Sequence, residues 1–195
     1  MIILGSALSD TPVMGLQTGL ELARTDRPII DPKNLTVIAY ELKGPNLTEH
    51  PSLLRIADMR ELSEMGFIVD SSEEFITPDD VVKIEEIYSL NFYLDGMNVV
   101  DEKRKKLGKV TDYTLDTTGF VVQQLTVKRP MLHSFNDTEL VIHRSQIIEI
   151  NDDAIVVHSQ AKVPEPDRKD VIGSYVNPFR KTDTAKESVA VRRER

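Results

Sequence analysis

The chain has 195 residues, of which 40% are hydrophobic and 29% charged, and its formal net charge at pH 7 is −8. This hydrophobic content supports a folded core, and the absence of cysteine excludes disulfides, thiolate metal sites and cysteine nucleophiles. No apolar run approaches the ~18 residues needed to cross a bilayer, so we expect a cytoplasmic protein without a membrane span.

The charge is unevenly distributed along the chain. Residues 1–159 have a net charge of −11, of which residues 1–89 contribute −9, whereas residues 160–195 have a net charge of +3. An acidic surface repels nucleic acid at long range, so the first part of the chain disfavours DNA as a partner.

The first predicted elements are two strands joined by a tight turn, ELARTDRPII (residues 21–30) and LTVIAYELK (residues 35–43). In the turn, we expect Asp31 to accept a hydrogen bond from the backbone ahead of it and Asn34 to take the left-handed conformation. SLLRIADM and FIVDS supply a third and a fourth strand. The pattern predicts an antiparallel meander that closes on itself as a barrel, which would leave no exposed edge.

A helix is predicted next, within SSEEFITPDDVVKIEEIYSLNF. Thr77 is a suitable cap and Pro78 suits the first helical position. An apolar stripe follows at helical spacing, formed by Val81, Ile84, Ile87, Tyr88 and Leu90. We interpret the segment as an interdomain helix that packs on one or both barrels, and a partner-binding helix is the alternative.

The second half of the chain repeats the first. A shift of 85 residues aligns Leu22 with Leu107 and Asp31 with Asp116, and a shift of 88 aligns the later strands. The repeated turn, DTTG, predicts a left-handed Gly119. Gly108 interrupts a predicted strand, as expected at a bulge or where another backbone approaches closely, and the first copy has Ala23 at that position.

These residues carry a family resemblance. GMNVVDEKRKKLGKVTDYTLDTTGFVVQQLTV (residues 96–127), with ELVIHRSQIIEINDDAIVVHS (residues 139–159), resembles a PRC-barrel domain, the small β-barrel of photosynthetic reaction-centre H subunits and of a ribosome maturation factor. Residues 1–75 resemble a more divergent copy, with Arg27 in place of Asp112 and Pro28 in place of Tyr113.

The resemblance implies an all-β fold of two small PRC-type barrels in tandem, joined by a short helix and followed by a flexible C-terminal tail. The expected domains are residues 1–75 and 92–159, with a helical connector at 76–91 and a largely disordered, mildly basic tail at 160–195. No catalytic residues are implied, because the family has no shared active site. The four histidines and the paired acids show no catalytic or metal-binding spacing, so we expect no enzyme, cofactor or metal site.

Two segments are candidate partner-binding sites. The first is the basic cluster Lys103, Arg104, Lys105 and Lys106, which we interpret either as a contact to RNA phosphate or an acidic partner, or as a solubilising turn. The second is the tail, where apolar residues that include Tyr175 and Phe179 could fold back on a barrel or dock on a partner, and Arg192 and Arg193 could contact an anionic surface.

The sequence therefore favours a non-catalytic protein-interaction or assembly module, an adaptor whose protein partner it does not identify. The alternative is a ribosome- or RNA-associated maturation factor that uses the basic loop at residues 103–106. The oligomeric state is unknown from the sequence.

Overall fold

The computed structural model describes residues 1–130 and 139–158, which contain fourteen strands and one α-helix. The first half carries β1 (Ile2–Leu4), β2 (Pro12–Gly15), β3 (Glu21–Asp31), β4 (Thr36–Lys43), β5 (Ser52–Arg55), β6 (Glu61–Ser63), β7 (Gly66–Val69) and β8 (Phe75–Ile76). The helix α1 (Val82–Ser89) precedes the second half, which carries β9 (Asn98–Asp101), β10 (Lys106–Asp116), β11 (Val121–Lys128), β12 (Glu139–His143), β13 (Ile147–Ile150) and β14 (Ala154–Val157). The predicted all-β fold is confirmed.

The two halves have the same strand order. It is β5-β4-β3-β2-β7-β6 in the first half and β12-β11-β10-β9-β14-β13 in the second. In each half one pair is parallel, β2 with β7 and β9 with β14, and the other pairs along these paths are antiparallel.

The strand register reproduces the sequence repeat. Arg24 pairs with Lys43 in the first half, and Lys109 pairs with Lys128 in the second, which is a shift of 85 on both strands. The neighbouring strands follow the second shift, because Leu54 of β5 and Ile142 of β12 differ by 88. The predicted repeat is therefore present in the backbone pairing itself.

The predicted closed antiparallel meander was wrong in two respects. The short strands β2 and β9 were not predicted. β2 lies between β3 and β7, and β9 lies between β10 and β14. Each is parallel to the second of these neighbours, β7 or β14. Within the described residues the sheet path is open and ends at β13 and β6. Four-residue strands such as PVMG and NVVD are too short to show the period-two pattern that identifies a strand.

Both predicted turns form where expected. Asp31 Oδ1 accepts the backbone N–H of Lys33 at 3.0 Å, and Asp116 Oδ1 accepts that of Thr118 at 3.1 Å. The predicted left-handed residues were wrong by one position, since Leu35 (φ 57°) and Phe120 (φ 50°) adopt that conformation instead of Asn34 and Gly119. A bulky residue rarely adopts the left-handed conformation, and here burial of the side chain offsets the backbone strain.

The same two residues join the halves reciprocally. The N–H of Val37 donates to the carbonyl of Phe120 at 2.8 Å, and the N–H of Val122 donates to the carbonyl of Leu35 at 2.9 Å. The Phe120 ring lies 6.3 Å from the ring of Phe67 in the first half. The two copies therefore meet through equivalent residues, as in a contact around a two-fold axis.

Gly108 lies where β10 bulges against β9 and where another backbone approaches closely, as predicted. A Cβ added to Gly108 would lie 2.2 Å from the carbonyl oxygen of Lys128 on β11, which is closer than any real contact. Ala23 occupies the equivalent bulge of the first half and is also buried.

The connector begins with a 3₁₀ turn, Pro78–Asp80, which has a capping box between Thr77 and Asp80. The α-helix begins only at Val82, since Val81 has extended backbone angles. Ile84 and Ile87 are buried with apolar residues of β3, β4 and β5, so the helix packs on the first half. The predicted place of Leu90 in this stripe was wrong, because it lies beyond the last helical turn and is 58% exposed.

Neither α1 nor any other helix in the described parts of the chain has the length and apolar character of a membrane span.

Candidate functional site

The basic cluster forms the turn between β9 and β10, and the side chains of Lys103 to Lys106 are exposed. Its backbone is organised by Asp101, which is only 7% exposed. The Asp101 Oδ1 atom accepts the backbone N–H groups of Lys103 and Lys105, both at 2.9 Å, and the Asp101 carbonyl accepts that of Arg104 at 2.9 Å. A buried carboxylate therefore holds the turn in one conformation.

The side chains of this turn are available to a partner. Within residues 1–130 and 139–158, none of the four cations forms a salt bridge, whereas the adjacent Glu102 pairs with His158 at 2.6 Å. Four unpaired positive charges on a short, fixed turn form a concentrated positive site on an otherwise acidic molecule.

A second site, absent from the sequence-based predictions, is a cleft of about 320 Å³ between the two halves. Equivalent residues of β3 and β10 line it, together with the segments that precede β2 and β9. These residues are Gly5, Ser6, Ser9, Asp26, Arg27, Pro28, Ile30, Tyr93, Leu94, Asp95, Thr111, Asp112 and Tyr113.

One wall of the cleft is fixed by Asp112. Its carboxylate accepts the Ser6 hydroxyl at 2.5 Å, the Ser6 N–H at 3.1 Å and the Tyr113 N–H at 2.7 Å. Gly5 lies against the Tyr113 ring so closely that an added Cβ would be 2.3 Å from it. Burial raises the pKa of the Tyr113 hydroxyl well above its ordinary value.

Arg27 occupies the position equivalent to Asp112 and is held differently. Its guanidinium donates to the Glu41 carboxylate and to the Tyr93 hydroxyl, and it lies over the rings of Tyr88 and Tyr93 at 5.0 and 5.1 Å. Partial burial opposes the charge, but hydrogen bonding and electrostatic attraction to Glu41 and Tyr88 together outweigh it and raise the pKa of Arg27. Arg27, the only arginine among the described residues that line the cleft, is therefore already paired with a neighbouring carboxylate.

The rim of the cleft carries two further acids. Asp26 lies 3.7 Å from Lys43 Nζ, and Asp95 is exposed and has no hydrogen bond or ion pair within the described parts of the chain. Among those residues, no group of three or more His, Asp or Glu is placed to hold a metal ion.

The other predicted site residues could not be placed. Tyr175, Phe179, Arg192 and Arg193 lie outside the described residues. The sequence did carry a signal for the cleft, because the two copies depart from each other at Arg27 and Asp112 and at Pro28 and Tyr113, all of which line it.

Residues 93–163 match the family model of the PRC-barrel domain. This chain contains a PRC-barrel domain. The match covers β9 to β14, so the basic turn and one wall of the cleft belong to that domain. The first half has the same strand order and register as this second half.

Among solved structures, the chain is similar to RimM of Pseudomonas aeruginosa, a candidate 16S ribosomal RNA processing protein. The identity is 16%, the alignment covers 82% of this chain and 98% of that chain, and the TM-score is 0.28. No curated protein matches the sequence.

Proposed function

We propose that this PRC-barrel protein is a cytoplasmic, non-catalytic docking module that binds an acidic surface of a partner protein through the turn Lys103–Lys106. The observation that carries the proposal is the turn itself. Four exposed cations, without ion pairs in the described part of the chain, are held in one conformation by the buried Asp101. Because the backbone of the turn is already held by Asp101, binding costs little backbone entropy there.

The charge distribution favours a protein partner over RNA. The first half contributes most of the negative charge, and residues 1–89 have a net charge of −9. An extended polyanion would approach this acidic surface as well as the basic turn, whereas an acidic patch on a folded protein can be limited to the turn. The RNA-associated role is the competing hypothesis.

We further propose that residues 1–75 and 92–159 are two barrel domains separated by the connector at 76–91. In this proposal the tail, residues 160–195, supplies a second contact through Tyr175, Phe179, Arg192 and Arg193. Truncation after Ser159 should then weaken partner recovery without lowering the unfolding temperature of the remainder.

The main test is affinity purification of the full-length protein after mild crosslinking in its native cells, with identification of proteins and RNA. A turn variant, Lys103→Ser with Lys105→Ser and Lys106→Ser, is compared with a control variant, Lys33→Ser with Lys109→Ser and Lys128→Ser. Both remove three exposed lysines that form no ion pair in the described residues.

We expect the wild type and the control variant to recover the same acidic protein, and the turn variant to lose it. Recovery of that partner by all three proteins would contradict the proposal. Recovery of ribosomal RNA and ribosomal proteins, lost only with the turn variant, would establish the RNA-associated role instead.

A further inference from the structure

The cleft between the halves has the size and wall chemistry of a small-molecule site. Its volume of about 320 Å³ is at the lower end of the range for ligand pockets, and it would hold about ten water molecules at ~30 Å³ each. Pro28, Ile30, Leu94 and Tyr113 provide apolar wall. A ligand of about ten non-hydrogen atoms with an apolar body fits this space.

The charges around the cleft select the sign of the ligand. Among the described lining residues, three are acids, Asp26, Asp95 and Asp112, and one is a cation, Arg27. Arg27 is already paired with Glu41, so its charge does not balance the rim. The described lining of the cleft has a net negative charge that would attract a cation and repel an anion, while Lys106, Lys109 and Lys128 border an adjoining hollow on the side of Asp95.

One of these carboxylates is free to bind. Asp112 is occupied by hydrogen bonds from Ser6 and Tyr113, and Asp26 lies near Lys43. Asp95 has no hydrogen bond or ion pair within the described ranges 1–130 and 139–158. A charged group on a ligand would therefore gain most by pairing with Asp95.

The walls are also preorganised. Asp112 is held by three hydrogen bonds, Gly5 packs against the ring of Tyr113, and Arg27 is fixed by Glu41 and two tyrosine rings. These three wall side chains therefore lose little entropy when a ligand enters. Arg27 and Asp112 occupy equivalent positions of the two halves and both line the cleft, so its lining is chemically asymmetric and would orient a polar ligand.

We propose that the cleft binds a small organic amine with an apolar body, whose ammonium group pairs with Asp95 while the body contacts Pro28, Leu94 and Tyr113. This binding site is independent of the basic turn, so failure of either proposal leaves the other in place.

The test is an NMR titration of ¹⁵N-labelled full-length protein at pH 7 with 2-phenylethylamine as the probe. Two shape-matched probes, neutral 2-phenylethanol and anionic 3-phenylpropanoate, serve as controls. We expect saturable shifts of the amides of Ser9, Asp95 and Thr111 with the amine, weaker binding of the alcohol and no binding of the anion.

Variants test the ammonium contact. Asp95→Asn should weaken amine binding about tenfold, as expected for loss of one charged hydrogen bond, and leave alcohol binding unchanged. The matched control is Asp152→Asn, which removes another exposed acid without ion pairs in the described residues, away from the cleft lining, and should bind like the wild type.

Three results would overturn the proposal. These are anion binding as tight as amine binding, equal effects of the Asp95 and Asp152 variants, and no saturable shift of the cleft amides at millimolar amine. Asp95 is exposed and has no partner in the described residues, so its variant should keep the wild-type unfolding temperature. A measured unfolding temperature separates loss of binding from loss of fold.

Discussion

The two halves share strand order and register but differ in the side chains that meet between them. Equivalent positions hold Leu35 and Phe120 in the two turns that bond to the opposite half. Equivalent positions also hold Arg27 and Asp112 in the cleft. Strand pairing requires apolar side chains at alternate positions, and many apolar residue types meet this requirement. The contact between the copies instead places each side chain in a different environment, and there the two copies have become chemically distinct.

The largest expected effect on stability comes from Phe120 and Leu35, through which the two halves meet. Phe120 is 1% exposed and reaches toward Phe67 of the other half, so Phe120→Ala should lower the free energy of unfolding by about 4 kcal/mol. Leu35→Ala should cost about 3 kcal/mol, because a smaller buried side chain is removed. Urea denaturation of both variants measures the difference, and a larger loss for Leu35→Ala would show that Phe120 is not the main anchor.

A somewhat smaller effect is expected at the bulges. Gly108→Ala should destabilise by about 3 kcal/mol, because its new methyl group would collide with the Lys128 carbonyl, which belongs to the backbone and cannot rotate away. The reciprocal change, Ala23→Gly, should cost only about 1 kcal/mol from added backbone freedom and lost burial. Thermal unfolding of both variants tests this, and equal losses would mean that the two bulges tolerate the same side chain.

The smallest effect concerns pH at the turn of the second half. The backbone hydrogen bond from Thr118 is the largest cause that holds the pKa of Asp116 below its ordinary value. Since the folded pKa lies below the unfolded one, Asp116 stabilises the fold above pH about 4, and this contribution is lost as the pH falls through the folded pKa. Asp116→Asn keeps a side-chain acceptor for the turn but removes the charge.

Urea unfolding at pH 7 and pH 3 checks this expectation. Asp116→Asn should be less stable than the wild type at pH 7, and the difference should shrink at pH 3. Asp152→Asn serves as the control variant, and a difference between Asp116→Asn and the wild type that does not change with pH would contradict the expectation.

Much of the fold could be predicted because local chemistry decides it. The carboxylates of Asp31 and Asp116 accept the backbone N–H two residues ahead, which is a local preference of Asp. At Gly108 a neighbouring backbone leaves no room for a Cβ, so only glycine fits. The left-handed residue was displaced from Asn34 to Leu35 because burial between the halves outweighs local preference. The burial of Leu35 depends on residues more than 80 positions away, so the sequence of the turn alone does not reveal it.

The candidate sites differ in the same way. The basic turn is one continuous run, Lys103–Lys106, and could be found by inspection of the sequence. The cleft is assembled from four separate segments around Ser6, Arg27, Leu94 and Asp112, so no single segment shows it. Its signal was the mismatch between aligned copies, which gains meaning only once the halves are packed together.

The first strand, β1, has a consequence for the order of folding. It lies at the start of the chain but pairs with β10, where Ile3 is opposite Leu115, and the adjacent bond from Ser6 to Asp112 spans 106 positions. During synthesis residues 2–4 emerge long before their partner strand exists, and closing so long a loop slows pairing. The pairing of β1 with β10 therefore cannot form until β10 has left the ribosome.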